Sequence, residues 1–402
     1  MVIRKPTPSV FALLALLALV LPALAPWVTS RALAANDAAN DALAIFDEAS
    51  ALLMPPNADP RFKIERDSLR SQLGARPTLG MSRLALRQLQ RELGGAALEA
   101  QLLSSEEQKY WVDASCFGGE LNAYPLAHIG AWFERRGRRW FVHTVLAGGP
   151  AADAGLIRGD ELLTANGKPF APVSSFRGLK SGTQVQLSVR RMPWEAPRSI
   201  PVKVTVSSMA EALKRHQALG TFVRQVGDKQ IMYVPLPLTC HRSMETALES
   251  LATKAQAQVD AMVVDLRGDF ADGGLTFAAP FIGLPTNRDT AASPLALAPF
   301  AKRLVLIVDS GTRGGREQLA AFLSQRKKAS LVGTTTAGAT RAGRAVTLGD
   351  SEVLLWLPRG EVAGAQLLPD VTVDSALVYA AGSDDALDRA LTEAARADRP
   401  GI

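Results

Sequence analysis

Apolar and polar residues alternate with two different periods along this chain, and the change of period divides it. Early on the helical period dominates. Ala38–Leu53 and Ser82–Leu93 repeat apolar residues every three to four positions, with Leu84, Leu86, Leu89 and Leu93 expected on one face and Gly94 just past the end. Asn57–Pro60 and Ala75–Gly80 carry turn residues between them. From about residue 182 the period is two: Val185, Leu187 and Val189 alternate with polar residues, as in a half-buried strand. A helix around Met209–Leu219 follows. Short unbroken apolar runs then alternate with helical patterns: strands at Ile231–Leu236, Ala261–Leu266, Leu304–Val308 and Ser330–Val332, helices at Ser243–Gln258 and Arg316–Gln325. In the first of these helices Leu248, Leu251 and Ala255 are expected inward. Strand–helix alternation of this kind predicts a largely parallel sheet covered by helices. Ser383 is expected to cap a last helix, with Asp384 and Asp385 in its first turn.

The stretch Gly148-Gly-Pro-Ala-Ala-Asp-Ala-Gly-Leu-Ile-Arg-Gly-Asp-Glu-Leu-Leu-Thr-Ala-Asn-Gly167 is dense in conformational signals. Gly155 suits a left-handed helix end, Gly159-Asp160 a turn, and Asn166-Gly167 a two-residue hairpin. It resembles the PDZ domain of bacterial C-terminal processing (tail-specific) peptidases, with His128-Ile129-Gly130-Ala131 at the family's Gly-Ile-Gly strand. That resemblance implies that the backbone N–H groups of Ile129, Gly130 and Ala131 hold a peptide carboxylate while the peptide adds as a strand. Pro169 and Pro172 fall where relatives carry the helix that walls the groove, which predicts a short or irregular wall.

The remainder resembles the catalytic domain of the same family. Ile231-Met-Tyr-Val-Pro-Leu236 matches its first strand, Val264-Asp-Leu-Arg-Gly-Asp-Phe-Ala-Asp-Gly-Gly274 its Asp-Leu-Arg-Gly motif, and Leu368-Pro-Asp-Val-Thr-Val373 its Pro-Asp-Val-x-Val close. The family cleaves peptides with a Ser nucleophile, a neutral Lys that takes its proton, and a Gln that orients the Lys. In Val308-Asp-Ser-Gly-Thr-Arg-Gly-Gly-Arg-Glu317 the family glutamate aligns with Glu317, which puts Gly314 at the nucleophile. Val332-Gly-Thr-Thr-Thr-Ala-Gly-Ala-Thr340 puts Ala339 at the lysine, and Gly343 stands at the glutamine. All three functional side chains are therefore absent, and Gly273 and Gly274 remain as oxyanion-type backbone donors. Ser310 and Thr312 are the nearest substitute hydroxyls, but neither has a Lys or His at catalytic spacing. Lys327 and Lys328 read as a solvated helix end, and Cys240-His241, adjacent on an extended segment, point to opposite faces.

Composition narrows the setting. Twenty-one percent charged and 47% hydrophobic residues describe a globular chain rather than a disordered one. Arg4-Lys5, the apolar Phe11–Val28 and Ala32-Leu33-Ala34 form the three parts of a secretory signal, which predicts removal after Ala34 or Ala35 and a periplasmic or secreted protein that meets the membrane only during export. Omitting Arg4, Lys5 and Arg31 leaves 42 of the 45 basic residues against 39 acidic ones, so a nucleic-acid partner is not expected. The basic run Arg135–Arg139 reads as a solvated hairpin tip. Four scattered histidines lack metal spacing, and no metal or cofactor is expected. Cys116 and Cys240 are equally well read as a disulfide or as two thiols.

The resulting expectation is a multidomain α/β protein: signal 1–34, helical segment 35–119, β-rich PDZ-like domain 120–208 and α/β peptidase-like core 209–402. Its expected partners are protein C-termini or unfolded peptides, with an active protease or an envelope protein as a further partner. Two alternatives stay open: an active periplasmic peptidase using a different nucleophile such as Thr312, and a purely structural envelope component.

Overall fold

The structure is a computed structural model that describes residues 42–54, 58–94, 100–103, 125–268, 275–283, 299–338, 343–348, 353–358 and 366–396. It divides into two units. One runs to Leu102 and takes in Thr347–Leu355; the other runs from Leu103 to Val346 and from Trp356 onward. The proposed signal segment and Cys116 lie outside the described residues. Cys240 is disulfide-bonded. Among the described residues no helix is long and apolar enough to cross a membrane.

The first unit is helical. Helices 42–53, Pro60–Leu73 and Leu79–Leu93 pack around Phe46, Leu69, Leu86 and Leu89, and the Ser82 hydroxyl donates to the Ala42 carbonyl at 2.6 Å. Leu84, expected inward, is 69% exposed. The buried stripe is Ser82, Ala85, Leu86 and Leu89, because small residues let this helix approach its neighbour closely and rotate Leu84 outward.

The second unit opens with an antiparallel sheet. Strands Ala131–Arg136, Arg139–Val145, Glu161–Ala165, Gln184–Arg190 and Arg198–Lys203 lie in that order, and Ala131–Arg136 is an edge. Asn166 and Gly167 take positive φ (48° and 77°) between paired Ala165 and Lys168, the tight turn that Asn-Gly favours. Phe133, Val142, Leu162, Val185, Leu187 and Val202 form its core. Residues 172–178 are turns rather than a helix, as the two prolines imply, and are held by buried Phe170, Val173 and Phe176.

Helix Met209–Gly220, started by a Ser208–Glu211 capping box, leads into the second sheet. Its strand order is Phe222–Val226, Lys229–Pro235, Ala261–Asp265, Arg303–Val308, Ser330–Gly333 and Val371–Thr372, with only the first pair antiparallel. Successive side chains serve opposite faces. Met262, Val264, Leu304 and Leu306 pack under helices Arg242–Gln258 and Gly315–Gln325, whereas Ala261, Val263, Val305 and Ile307 pack on helix Asp385–Ala394. Burial on both faces explains the unbroken apolar runs. The last helix is capped by Asp384, which accepts from the Leu387 N–H at 3.2 Å, one residue later than the cap expected at Ser383; the Ser383 hydroxyl bonds Asp385 instead.

The segment preceding that helix crosses to the antiparallel sheet. The Tyr379 hydroxyl donates to Glu161 at 2.7 Å, its ring meets Phe141 edge-on at 5.4 Å, and the Gly382 N–H donates to the Arg158 carbonyl at 2.9 Å.

Candidate functional site

The strand Arg303–Val308 ends in a turn that leads into helix Gly315–Gln325, and this turn holds the positions of the expected chemistry. Asp309 organises it. Its Oδ1 accepts the N–H groups of Gly268, Gly311 and Thr312 at 3.1, 3.0 and 2.9 Å. Thr312 is wholly buried, and its hydroxyl lies 3.1 Å from the Leu266 carbonyl and 3.0 Å from Asp309 Oδ1 while accepting the Asp309 N–H at 2.9 Å. One hydroxyl with one proton is thus committed to holding the turn to the neighbouring strand end. Ser310 is exposed on the turn.

Gly314 is the residue before the helix, with φ 60° and ψ −136°. Only glycine takes that conformation without strain. Three residues on, the fully buried Glu317 accepts the Thr336 hydroxyl and the Gly338 N–H, the latter at 2.8 Å, and so ties the helix to the loop after strand Ser330–Gly333. Ala339, at the expected lysine position, lies outside the described residues, as do Gly273 and Gly274. Gly343 begins strand Gly343–Thr347, and a Cβ there would run into the Trp356 indole.

On the antiparallel sheet, Ile129 and Ala131 are buried, and the Gly130 N–H already donates to Nδ1 of His128 at 3.0 Å. That imidazole also contacts the Ser207 hydroxyl at 2.9 Å. The expected carboxylate loop is therefore partly occupied by its own neighbour. The edge strand beside it is differently placed: Trp132 and Glu134, on the face away from the sheet core, line a cavity of about 530 Å³ that extends to Asp309, Ser310, Gly311 and Arg313.

Sequence reasoning singled out Asp265-Leu-Arg267 as a motif but not the charge cluster it builds. Arg267 forks onto Asp265 at 2.6 Å and onto Asp384 at 2.8 Å, and the Tyr233 hydroxyl donates to Asp265 at 2.9 Å. Burial opposes ionisation of Asp265, yet the Arg267 charge and hydrogen bonds prevail and hold it at about 2. Asp384 is lowered in the same balance, and burial pushes Tyr233 well up. No local pattern ties Asp384 to a motif 117 residues earlier. Burial, aided by nearby arginines, also lowers His128 and His143 to about 4, and burial does the same for His216.

Among the described residues no group of three or more His, Cys, Asp or Glu is placed to hold a metal ion. The cavity lies beside a turn whose hydroxyls are the exposed Ser310 and the engaged Thr312, and it also takes in His143.

Solved structures similar to the chain include the photosystem II D1 C-terminal processing protease (TM-score 0.49, 19% identity, covering 86% of this chain and 98% of that one). Others are a putative S41 protease from Bacteroides fragilis (0.41, 17%, 69% and 79%) and mature CPAF (0.46, 13%, 86% and 95%). No family model and no curated protein matches the chain.

Proposed function

We propose that this chain is an exported, catalytically silent relative of the C-terminal processing peptidases that binds extended polypeptide, including protein C-termini, as an adaptor or scaffold. The observation that carries this reading is Gly314. The residue aligned with the nucleophile has no side chain and a glycine-only backbone, and the nearest buried hydroxyl, Thr312, is already engaged on three sides. Without a nucleophile and a base, the remaining backbone donors stabilise nothing, because no oxyanion forms.

Binding is supported by the place of the strand Ala131–Arg136 at the end of the antiparallel sheet's strand order. Among the described residues its one strand neighbour is Arg139–Val145, and it borders the large cavity, so an extended peptide laid along it would run toward the Asp309–Gly314 turn. With no helix opposite to wall the groove, affinity is expected to be micromolar or weaker. An active protease or envelope protein would act on what this chain holds.

The test is incubation of the purified protein with an unstructured polypeptide ending in apolar residues, read by mass spectrometry and by binding calorimetry. Saturable binding without cleavage is expected. Cleavage that persists after removal of host proteases and disappears with Ser310→Ala or Thr312→Ala overturns the silent reading.

A further inference from the structure

A second cavity, of about 390 Å³, lies between the antiparallel sheet and the C-terminal ends of the parallel strands. Its size falls at the lower end of small-ligand sites, roughly 300–1,000 Å³. Most of its wall is apolar, from Trp132, Leu146, Leu156, Leu213, Leu236 and Leu387. Polar groups interrupt that wall: the Asp265–Arg267–Asp384 cluster with Tyr233, His143 and Arg316. Apart from these stand Arg158 and His216.

Their bonding is incomplete in a way that their neighbour's is not. Arg267, at the same cavity, is neutralised by two carboxylates. Arg158 donates once, from Nη1 to the His143 carbonyl at 2.8 Å, makes no ion pair among the described residues, and keeps a buried Nε without a partner. Burial and the nearby Arg267 charge lower its pKa and outweigh the Asp384, Asp265 and Glu134 carboxylates, which raise it. Nδ1 of His216 accepts the Ala147 N–H at 3.0 Å, which fixes the ring proton on Nε2. That N–H has no acceptor among the described residues. A partly buried guanidinium without a carboxylate partner is costly, and an anion bound beside it removes that cost.

We propose that this cavity binds a monocarboxylate bearing an apolar group, held by the Arg158 guanidinium and the His216 Nε2–H, with the apolar group against Trp132 and the surrounding leucines. Arg158, with no ion pair among the described residues, in a mostly apolar wall matches a single negative charge better than a phosphate. The ligand is either a free apolar acid or the terminal residue of a polypeptide; both present the same chemistry. The site needs no strand added at Ala131–Arg136 and stands or falls separately from the peptide-binding reading.

The test is calorimetric titration of the full chain with 3-phenylpropionate, 3-phenylpropanamide, and a tripeptide ending in phenylalanine as free acid and as amide. At least one acid is expected to bind tenfold or more tightly than its amide, and Arg158→Gln is expected to weaken that acid at least tenfold while leaving any amide binding unchanged. Tighter binding of the tripeptide acid assigns the site to polypeptide ends, and tighter binding of 3-phenylpropionate assigns it to small acids. Equal binding of acid and amide, no saturation by either acid, or an unaltered acid affinity in a folded Arg158→Gln variant overturns the proposal. The acid–amide comparison on the unaltered chain decides the matter even if the variant does not fold. Amidated peptide that still binds supports the edge-strand reading alone.

Discussion

The Trp356 indole fills the space that a side chain at Gly343 would need. Gly343 stands where the resemblance places the glutamine that orients the base, so this position is closed as well as empty. Restoring the glutamine should destabilise the protein by about 2 kcal/mol or more, since overpacking of a filled site typically costs about 1–3 kcal/mol. The cost should fall by at least about 1 kcal/mol when Trp356→Ala is already present. A double-mutant cycle of Gly343→Gln and Trp356→Ala by urea unfolding measures this coupling. Additive costs would show that the two positions do not compete for space.

Gly314 makes a parallel case through the backbone. At φ 60° and ψ −136° any Cβ is strained, so Gly314→Ala and Gly314→Ser should each lose about 1–3 kcal/mol, and by the same amount within about 0.5 kcal/mol. Gly314→Ser should cleave nothing, because a serine without a base is a poor nucleophile at neutral pH. Gly314→Ser with Ala339→Lys is the smallest change that would restore both groups. Equal unfolding midpoints for the parent and Gly314→Ala would refute the strain argument.

Much of the frame was legible because local patterns dictate it. Asn166-Gly167 demands its hairpin wherever it stands, and Ala261–Asp265 has no polar side to turn to solvent, so it reads as a strand buried on both faces. The placing of Gly314 and Gly343 at the expected nucleophile and orienter positions rests on the motifs. Their sealing was not legible, because Trp356 meets Gly343 through tertiary packing that leaves no mark near residue 343. Leu84 was misplaced for a related reason: helical period alone identifies an apolar stripe, but the small residues Ser82 and Ala85 decide which edge of it docks. Arg158 and His216 carry no sequence signal at all, since what singles them out is bonding left incomplete among the described residues once they are packed.

Arg267 joins two carboxylates from distant parts of the chain, and Arg267→Ala would leave both buried without their ion-pair partner. A loss of about 3–5 kcal/mol is expected, against less for Asp384→Asn, which leaves Asp265 paired. The pH window follows from the lowered Asp265. Its ordinary value is 3.8 and its folded value about 2, so its contribution is present above about pH 4 and is lost as pH falls toward 2. In Arg267→Ala that acid-dependent loss should vanish or reverse. Urea unfolding of the two variants at pH 7, and of parent and Arg267→Ala from pH 5 to 2, checks both statements; an Arg267→Ala protein as stable as its parent would discount the pairing.

The buried histidines act in a higher window. His128, His143 and His216 titrate near 4 in the folded protein because burial disfavours the imidazolium, against 6.5 ordinarily. Between those values the unfolded chain binds more protons than the folded one, so stability must fall as pH drops from about 6.5 to about 4 and stop changing on their account below that. Each contributes a slope on the order of 1.4 kcal/mol per pH unit inside the window. Asp265 adds nothing there, because it loses its proton preference only below about pH 4. His128→Gln removes one titrating group while offering a polar side chain near the Gly130 N–H and Ser207. Its stability at pH 7 should fall modestly, and its slope between pH 6.5 and 4.5 should be shallower than the parent's by about one proton. Urea midpoints measured every half unit from pH 7.5 to 4.5 give both numbers. A parent whose stability stays level across that range would mean that these imidazoles take up protons in place, and that burial does not hold them neutral.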